Sequence, residues 1–194
     1  MPHSDTPGVH VYRTVARRLH WLMAGLVIAQ IAAGLLMVYE GPEGSLVVRF
    51  AEALSLYDGH KLLGLLLLAL VLFRLGYRIW VGTPPDEPSL EPWQREASHL
   101  VHAWIYLLLI VIPLLGWAGV SLYPAVVLFG SFSIPAILEP NREASAAVLA
   151  AHRYGAFALI GLIGAHVGAA LYHHFVRRDG VLRRMLPTLR PPRR

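Results

Sequence analysis

The sequence predicts an all-α membrane protein, built as one bundle of four transmembrane helices. Hydrophobic residues make up 56% of the 194 residues and charged residues only 15%, and the mean hydropathy is +0.52. Soluble domains carry about 25% charged residues, so the composition excludes an ordinary soluble fold. A chain of this length is expected to form a single domain, 1–194.

Four apolar stretches account for this composition, at about 19–39, 60–80, 100–123 and 151–175. About 20 helical residues cross the roughly 30 Å of hydrocarbon, and helices are expected because unpaired backbone groups are costly in lipid. The first stretch is interpreted as an uncleaved helix, since Tyr39, Glu40 and Gly41 follow it in place of a small-residue cleavage site. Between and after these stretches we expect a Pro-rich loop at 82–96, an apolar connection at 124–143 along the membrane surface and a basic tail at 176–194.

Positive charge predicts the orientation of the bundle. Thirteen of the 17 Lys and Arg residues fall on the side that both termini share, and the opposite side has at most Arg49, Lys61, Arg142 and Arg153. The excess of basic residues on the inner side of membranes therefore places both termini in the cytoplasm. Topology explains the net charge of +5, and no nucleic-acid partner is expected.

Histidines are the candidate metal ligands. The chain has no cysteine, which excludes an iron–sulfur cluster, a covalently attached c-type haem and any disulfide. Four histidines lie inside or at the ends of the apolar stretches, where imidazole is costly and usually functional. They are His20, His60, His152 and His166.

The depths of these histidines predict two pairs. His152 and His166 are fourteen residues apart, which is about 21 Å along a helix and within roughly 40° of the same face. The fourth helix then offers one imidazole near each membrane surface. His20 starts the first helix at the inner level and meets His166, while His60 starts the second helix at the outer level and meets His152.

Haem is the group that two facing imidazoles fit best. A bare zinc or copper ion would normally need three or four ligands, whereas haem supplies four nitrogens and needs two axial groups. The alternative to two haem sites is that the four histidines are separate polar groups, each satisfied by backbone or water. Glycines near the histidines leave room for a flat macrocycle, although close helix packing explains them equally well. They are Gly25, Gly34, Gly64, Gly155, Gly161, Gly164 and Gly168.

Further polar residues lie near these levels. His99 and His102 share one face at the inner end of the third helix, and we expect one of them to serve a quinone site, with exposure at the interface as the alternative. Lys61 and Arg153 each follow a proposed ligand, where they neutralise haem propionates, attract a small anion or simply extend to the interface. The candidates for propionate contacts on the inner side are Arg17, Arg18, Arg74 and Arg78.

Five sequence motifs are distributed over nearly the whole chain. They are "RRLHW", "GHKLLG", "SHLVHAWIYLLLIVIPLLGW", "AHRYGAFALIGLIGAH" and "HHFVRRDGVLRRMLP". With these motifs the chain resembles the bacterial cytochrome b561 family of diheme b-type cytochromes of the inner membrane. The resemblance implies that His20 and His166 bind one haem b and that His60 and His152 bind the other, which agrees with the depth argument.

Three interpretations of the function follow. Members of the family are described as superoxide:ubiquinone oxidoreductases, so the resemblance implies an enzyme that takes electrons from superoxide outside and passes them to membrane ubiquinone. The alternative is a non-catalytic relay subunit that links a quinone pool to a partner dehydrogenase or hydrogenase. A transporter or proton channel that uses histidines without haem is the third interpretation.

Overall fold

Four long helices dominate the structure, a computed structural model that describes residues 11–40, 56–129 and 132–189. Each of the four is long and apolar enough to cross a membrane, so the predicted set of membrane-length helices is confirmed. Arg49, which the sequence assigns to the side opposite the termini, lies outside the described residues, as do the N-terminal His3 and His10. The helices are α1 Thr14–Glu40, α2 Leu56–Val81, α3 Pro92–Leu122 and α4 Arg142–Tyr172.

All four helices begin earlier than the hydropathy of the sequence predicts. In α3, Pro92 occupies the first turn and the Gln94 side chain accepts a hydrogen bond from the Glu91 backbone N–H at 3.0 Å. In α4, the Asn141 side chain accepts one from the Ala144 N–H at 3.0 Å. These polar first turns extend the helices beyond the apolar stretches. The loop expected at 82–96 therefore ends at Glu91.

Large apolar side chains cover the outside of the bundle, and the buried core is small. Val71 is fully buried and packs with Met23 and Leu68, while Ile28 is 67% exposed and Phe73 is 58% exposed. An apolar surface of this extent suits contact with lipid rather than water.

Small residues bring α3 and α4 close together. A side chain at Gly119 would collide with Leu149, and one at Gly155 would press on Ile112. Ser145, which is 1% exposed, donates a hydrogen bond to the Gly119 carbonyl at 3.1 Å. Small residues at these positions permit the close helix contact that is typical of membrane proteins.

The connection between α3 and α4 contains a short β-hairpin, in which β1 Val127–Phe129 pairs antiparallel with β2 Phe132–Ser133. The sequence did not predict this exception to the all-α fold. Trp117 Nε1 donates to the Pro135 carbonyl at 2.8 Å, and Lys61 Nζ donates to the Val127 carbonyl at 2.7 Å. These bonds join the connection to the ends of α2 and α3.

The C-terminal segment folds back against the same end of the bundle as the start of α1. It forms a π-helix at His173–Arg177 and a 3₁₀ helix at Leu182–Arg184. The Tyr12 N–H donates to the Arg184 carbonyl at 3.2 Å, and Trp21 Nε1 donates to the Met185 carbonyl at 3.2 Å. Residues 173–189 therefore pack against the helices as part of the fold.

Candidate functional site

Two histidine pairs lie at two levels of the bundle. The ring centres of His20 on α1 and His166 on α4 are 6.1 Å apart, with ring planes at 75°. The ring centres of His60 on α2 and His152 on α4 are also 6.1 Å apart, with ring planes at 74°. We name these the inner pair and the outer pair. The structure thus brings together the residues that the sequence pairs by depth, in nearly identical geometry.

The spacing within each pair fits one metal ion between two imidazoles. Metal–nitrogen bonds of about 2 Å on each side, with about 1 Å from each nitrogen to its ring centre, separate the ring centres by about 6 Å. Among the described residues, no group of three or more His, Cys, Asp or Glu side chains could hold a metal ion. Each pair therefore offers two ligands, which is what haem iron requires from the protein.

His152 is held in place from α3. Its Nδ1 donates to the Ile112 carbonyl at 2.8 Å, which leaves Nε2 available as a ligand. A Cβ at Gly116 would lie 3.1 Å from the His152 ring, so glycine gives the ring its room. Pro113 lies inside α3 between these two positions, where it interrupts the helical hydrogen bonding.

A cavity of about 630 Å³ surrounds the outer pair. Residues of all four helices line it, and most of them are apolar. Cofactor sites typically have volumes of about 300–1,000 Å³ and apolar walls with a few polar groups. The chain thus provides an apolar chamber of suitable size next to two ligands.

The outer chamber also contains Gln30, a residue that the sequence analysis missed. Its Nε2 donates to the His60 carbonyl at 2.9 Å. A Cβ at Gly34 would lie 3.3 Å from His60 Cε1, and one at Gly64 would lie 3.2 Å from Gln30 Nε2. An amide in the middle of an apolar stretch was the signal in the sequence, because such a group needs a partner inside the membrane.

The two histidines of α3 have different surroundings. The His102 ring centre lies 5.0 Å from that of His166, and its Nδ1 is 2.6 Å from the Ser98 carbonyl oxygen. His99 is exposed and pairs with Asp86 at 3.2 Å. A separation of 5.0 Å is too short for a metal ion between the rings, so His102 is a neighbour of the inner pair.

Lys61 and Arg153 differ in what they contact. Lys61 Nζ lies 3.0 Å from an Asp58 carboxylate oxygen and donates to the Ala125 and Val127 carbonyls at 3.3 and 2.7 Å. Arg153 is exposed at the edge of the outer cavity, with its guanidinium 5.3 Å from the Tyr154 ring centre. The ammonium group of Lys61 is thus bound by acceptors within the protein, whereas the guanidinium of Arg153 is on the surface.

Basic residues also surround the inner end of the bundle. Arg17 donates to the Thr14 hydroxyl at 3.3 Å and Arg18 is exposed. Arg74 donates to the Tyr106 hydroxyl at 3.0 Å and to the Ala16 carbonyl at 2.8 Å. Arg74 thereby links α2 to α1 and α3 near the inner pair through neutral acceptors.

A membrane bundle with facing imidazoles defines the class of membrane cytochromes, which carry electrons. The family model "Prokaryotic cytochrome b561" matches residues 11–188, and the chain belongs to this family. Membership implies b-type haem and an inner-membrane protein that transfers electrons.

Curated relatives agree with this assignment. Two proteins of Escherichia coli, cytochrome b561 homolog 1 and homolog 2, are each 31% identical, over 87% and 96% of this chain and 93% and 95% of their own lengths. A Yersinia pestis protein named "Probable superoxide oxidase CybB" is 30% identical over 68% of this chain and 74% of its own length.

Proposed function

We propose that this protein transfers electrons across the inner membrane through two b haems, oxidising superoxide outside and reducing ubiquinone. The observation that carries the proposal is the equal 6.1 Å spacing of the inner and outer pairs. His152 and His166 are fourteen residues apart on α4, about 21 Å along the helix. Two haem sites at these levels would span most of the hydrocarbon.

The chain supplies the ligands and their surroundings. His20 and His166 hold one haem b and His60 and His152 hold the other, while haem itself supplies one-electron redox chemistry. Arg17 and Arg18 remain candidates for propionate contacts at the inner level. The excess of Lys and Arg at the end that carries both termini supports a cytoplasmic location for that end.

Arg153 is our candidate for attracting an anionic donor to the outer haem. It is exposed at the edge of the outer cavity, and an exposed cation raises the local concentration of a small anion. Lys61 lies nearby, but its charge is paired with Asp58 and its ammonium group holds the hairpin. The relative named as a probable superoxide oxidase supports superoxide as this donor.

The quinone is assigned to the inner level, next to His102. Ubiquinone needs two protons for each two electrons, and an imidazole close to the inner haem can deliver a proton. His102 contacts His166 directly, whereas His99 is paired with Asp86 at the surface. We therefore favour His102 over His99 as the proton donor.

A relay subunit is the second candidate function. The observation that favours it is the position of Lys61, whose three hydrogen-bonding or ionic partners reduce the free positive charge at the outer level. In this case electrons would pass between a quinone and a docked redox protein, and superoxide would be no substrate.

Stopped-flow reduction of the purified protein by superoxide, with and without ubiquinone, tests the proposal. We expect superoxide to reduce both haems rapidly and ubiquinone to reoxidise them. Slow reduction by superoxide, with rapid electron exchange with quinone, would support the relay subunit. A protein without bound haem would refute both.

A further inference from the structure

The two imidazoles of the outer pair differ in the hydrogen bonding of their Nδ1 atoms. His152 directs its Nδ1 to the Ile112 carbonyl at 2.8 Å. The Nδ1 of His60 is buried, and no hydrogen-bond partner is found for it among the described residues. A histidine that binds a metal through Nε2 carries a proton on Nδ1. As an iron ligand, His60 therefore needs an acceptor for this proton.

Gln30 has an unpaired atom of the complementary kind. Its Nε2 donates to the His60 carbonyl, which identifies the other amide atom, Oε1, as the oxygen. In the described part of the chain this buried oxygen has no hydrogen-bond partner. Gln30 and His60 line the same outer cavity. An acceptor left unpaired in apolar surroundings is unfavourable, so a hydrogen bond from His60 Nδ1 to this oxygen would satisfy both groups.

Glycines on the two helices make room for the amide and the imidazole. Gly34 follows Gln30 by one helical turn, and a Cβ there would lie 3.3 Å from His60 Cε1. Gly64 follows His60 by one turn, and a Cβ there would lie 3.2 Å from Gln30 Nε2. Each helix thus has a glycine opposite the polar side chain of the other.

We propose that Gln30 is the positioning residue of His60, with its amide oxygen accepting the Nδ1 proton directly or through one water molecule. Gln30 then does for His60 what the Ile112 carbonyl does for His152. An acceptor on Nδ1 makes the imidazole a stronger electron donor and stabilises ferric iron. Gln30 therefore lowers the reduction potential of the outer haem. This inference rests on the proposed diheme function.

Two substitutions separate this role from simple packing. Gln30→Met keeps the length of the side chain but removes the acceptor, so the ferric–ferrous equilibrium of the outer haem shifts about tenfold toward ferrous, which is about 59 mV upward. Gln30→Glu keeps an acceptor oxygen, whether its carboxyl group is ionised or protonated. Its outer haem retains a potential at or below that of the wild-type protein.

Potentiometric titration in detergent, with haem content measured on each sample, provides the readout. His20→Ala protein, which keeps the outer haem alone, identifies the outer potential. The inner haem of each variant is one control and should keep its wild-type potential. The second control is Ile28→Val, a change at a 67% exposed position of α1, in which both potentials should remain those of the wild-type protein.

The inference is supported if Gln30→Met raises the outer potential, or loses the outer haem, while Gln30→Glu keeps that haem at or below the wild-type potential. Every other pattern overturns it, including shifts of both variants in one direction and no shift at all. A wild-type protein that binds fewer than two haems would instead refute the proposed function on which the inference rests.

Discussion

His152 donates a hydrogen bond from Nδ1 to the Ile112 carbonyl oxygen, 2.8 Å away on α3. The position of the imidazole depends on this bond and on Gly116, where a Cβ would lie 3.1 Å from the ring. Orientation of a ligand by its neighbours typically changes metal affinity by about 10–100-fold. This relationship makes α3, to which neither histidine of the outer pair belongs, part of the surroundings of that pair.

Gly116→Val is therefore expected to displace His152 and to deplete the outer haem while the inner haem remains. The added methyl groups cannot fit against the ring without moving it, and a shift of this kind weakens the bond to iron. Acid-acetone extraction and the absorption spectrum measure haem per chain. Gly76→Val is the control, because nothing lies within 4 Å of a Cβ at that position of α2. Retention of both haems in Gly116→Val would contradict the assigned position of His152.

Alanine substitutions test the pairing of the histidines. Changing His20, His60, His152 or His166 to Ala is expected to leave about one haem per chain, because each haem loses one of its two axial ligands. Variants of the same pair should lose the same spectral component, since they share one haem.

His102→Ala is the sharpest control for this series. Its ring centre is 5.0 Å from that of His166, closer than His20 but too close for iron between the rings. We expect both haems to remain in His102→Ala and the rate of quinone reduction to fall, with His99→Ala close to wild type. Loss of a haem from His102→Ala would show that the inner pair is assigned incorrectly.

Lys61 and Arg153 are expected to respond differently to the loss of charge. Lys61→Met removes donors to the Ala125 and Val127 carbonyls and the partner of Asp58. This loss should lower the free energy of unfolding by about 1–3 kcal/mol and expose the connection between α3 and α4 to proteases. Arg153→Met should leave stability nearly unchanged, because an exposed side chain contributes little.

Reversal of the charge at Arg153 tests the attraction of the donor separately from stability. Arg153→Glu should slow reduction by superoxide at low salt, and the difference from wild type should shrink as salt screens the charge. Haem content and melting temperature should remain unchanged in this variant. An unchanged rate at low ionic strength would exclude Arg153 as the residue that attracts the donor.

Helical spacing made the histidine pairs predictable, but the contacts around them were not. Residues on a regular helix have fixed heights, so His152 and His166 could be assigned to two levels from the sequence alone. The contacts of Lys61 depend on the hairpin, and those of Gln30 depend on the neighbouring helix α2. No local sequence pattern predicts either set of contacts. The early start of α4 depends on the Asn141 cap, which an analysis of hydropathy does not detect.

Arg184 is expected to anchor the C-terminal segment to the loop between α2 and α3. It is 7% exposed, and its guanidinium donates to the Pro84 and Pro85 carbonyls at 3.2 and 2.5 Å. Arg184→Met keeps the apolar stem but leaves these carbonyls without their donor. The C-terminal segment should then open more often, at a cost of about 1–3 kcal/mol, and limited proteolysis should remove it faster. Arg183→Met, a change to the adjacent arginine, is the control, and equal cleavage rates in the two variants would refute the role of Arg184.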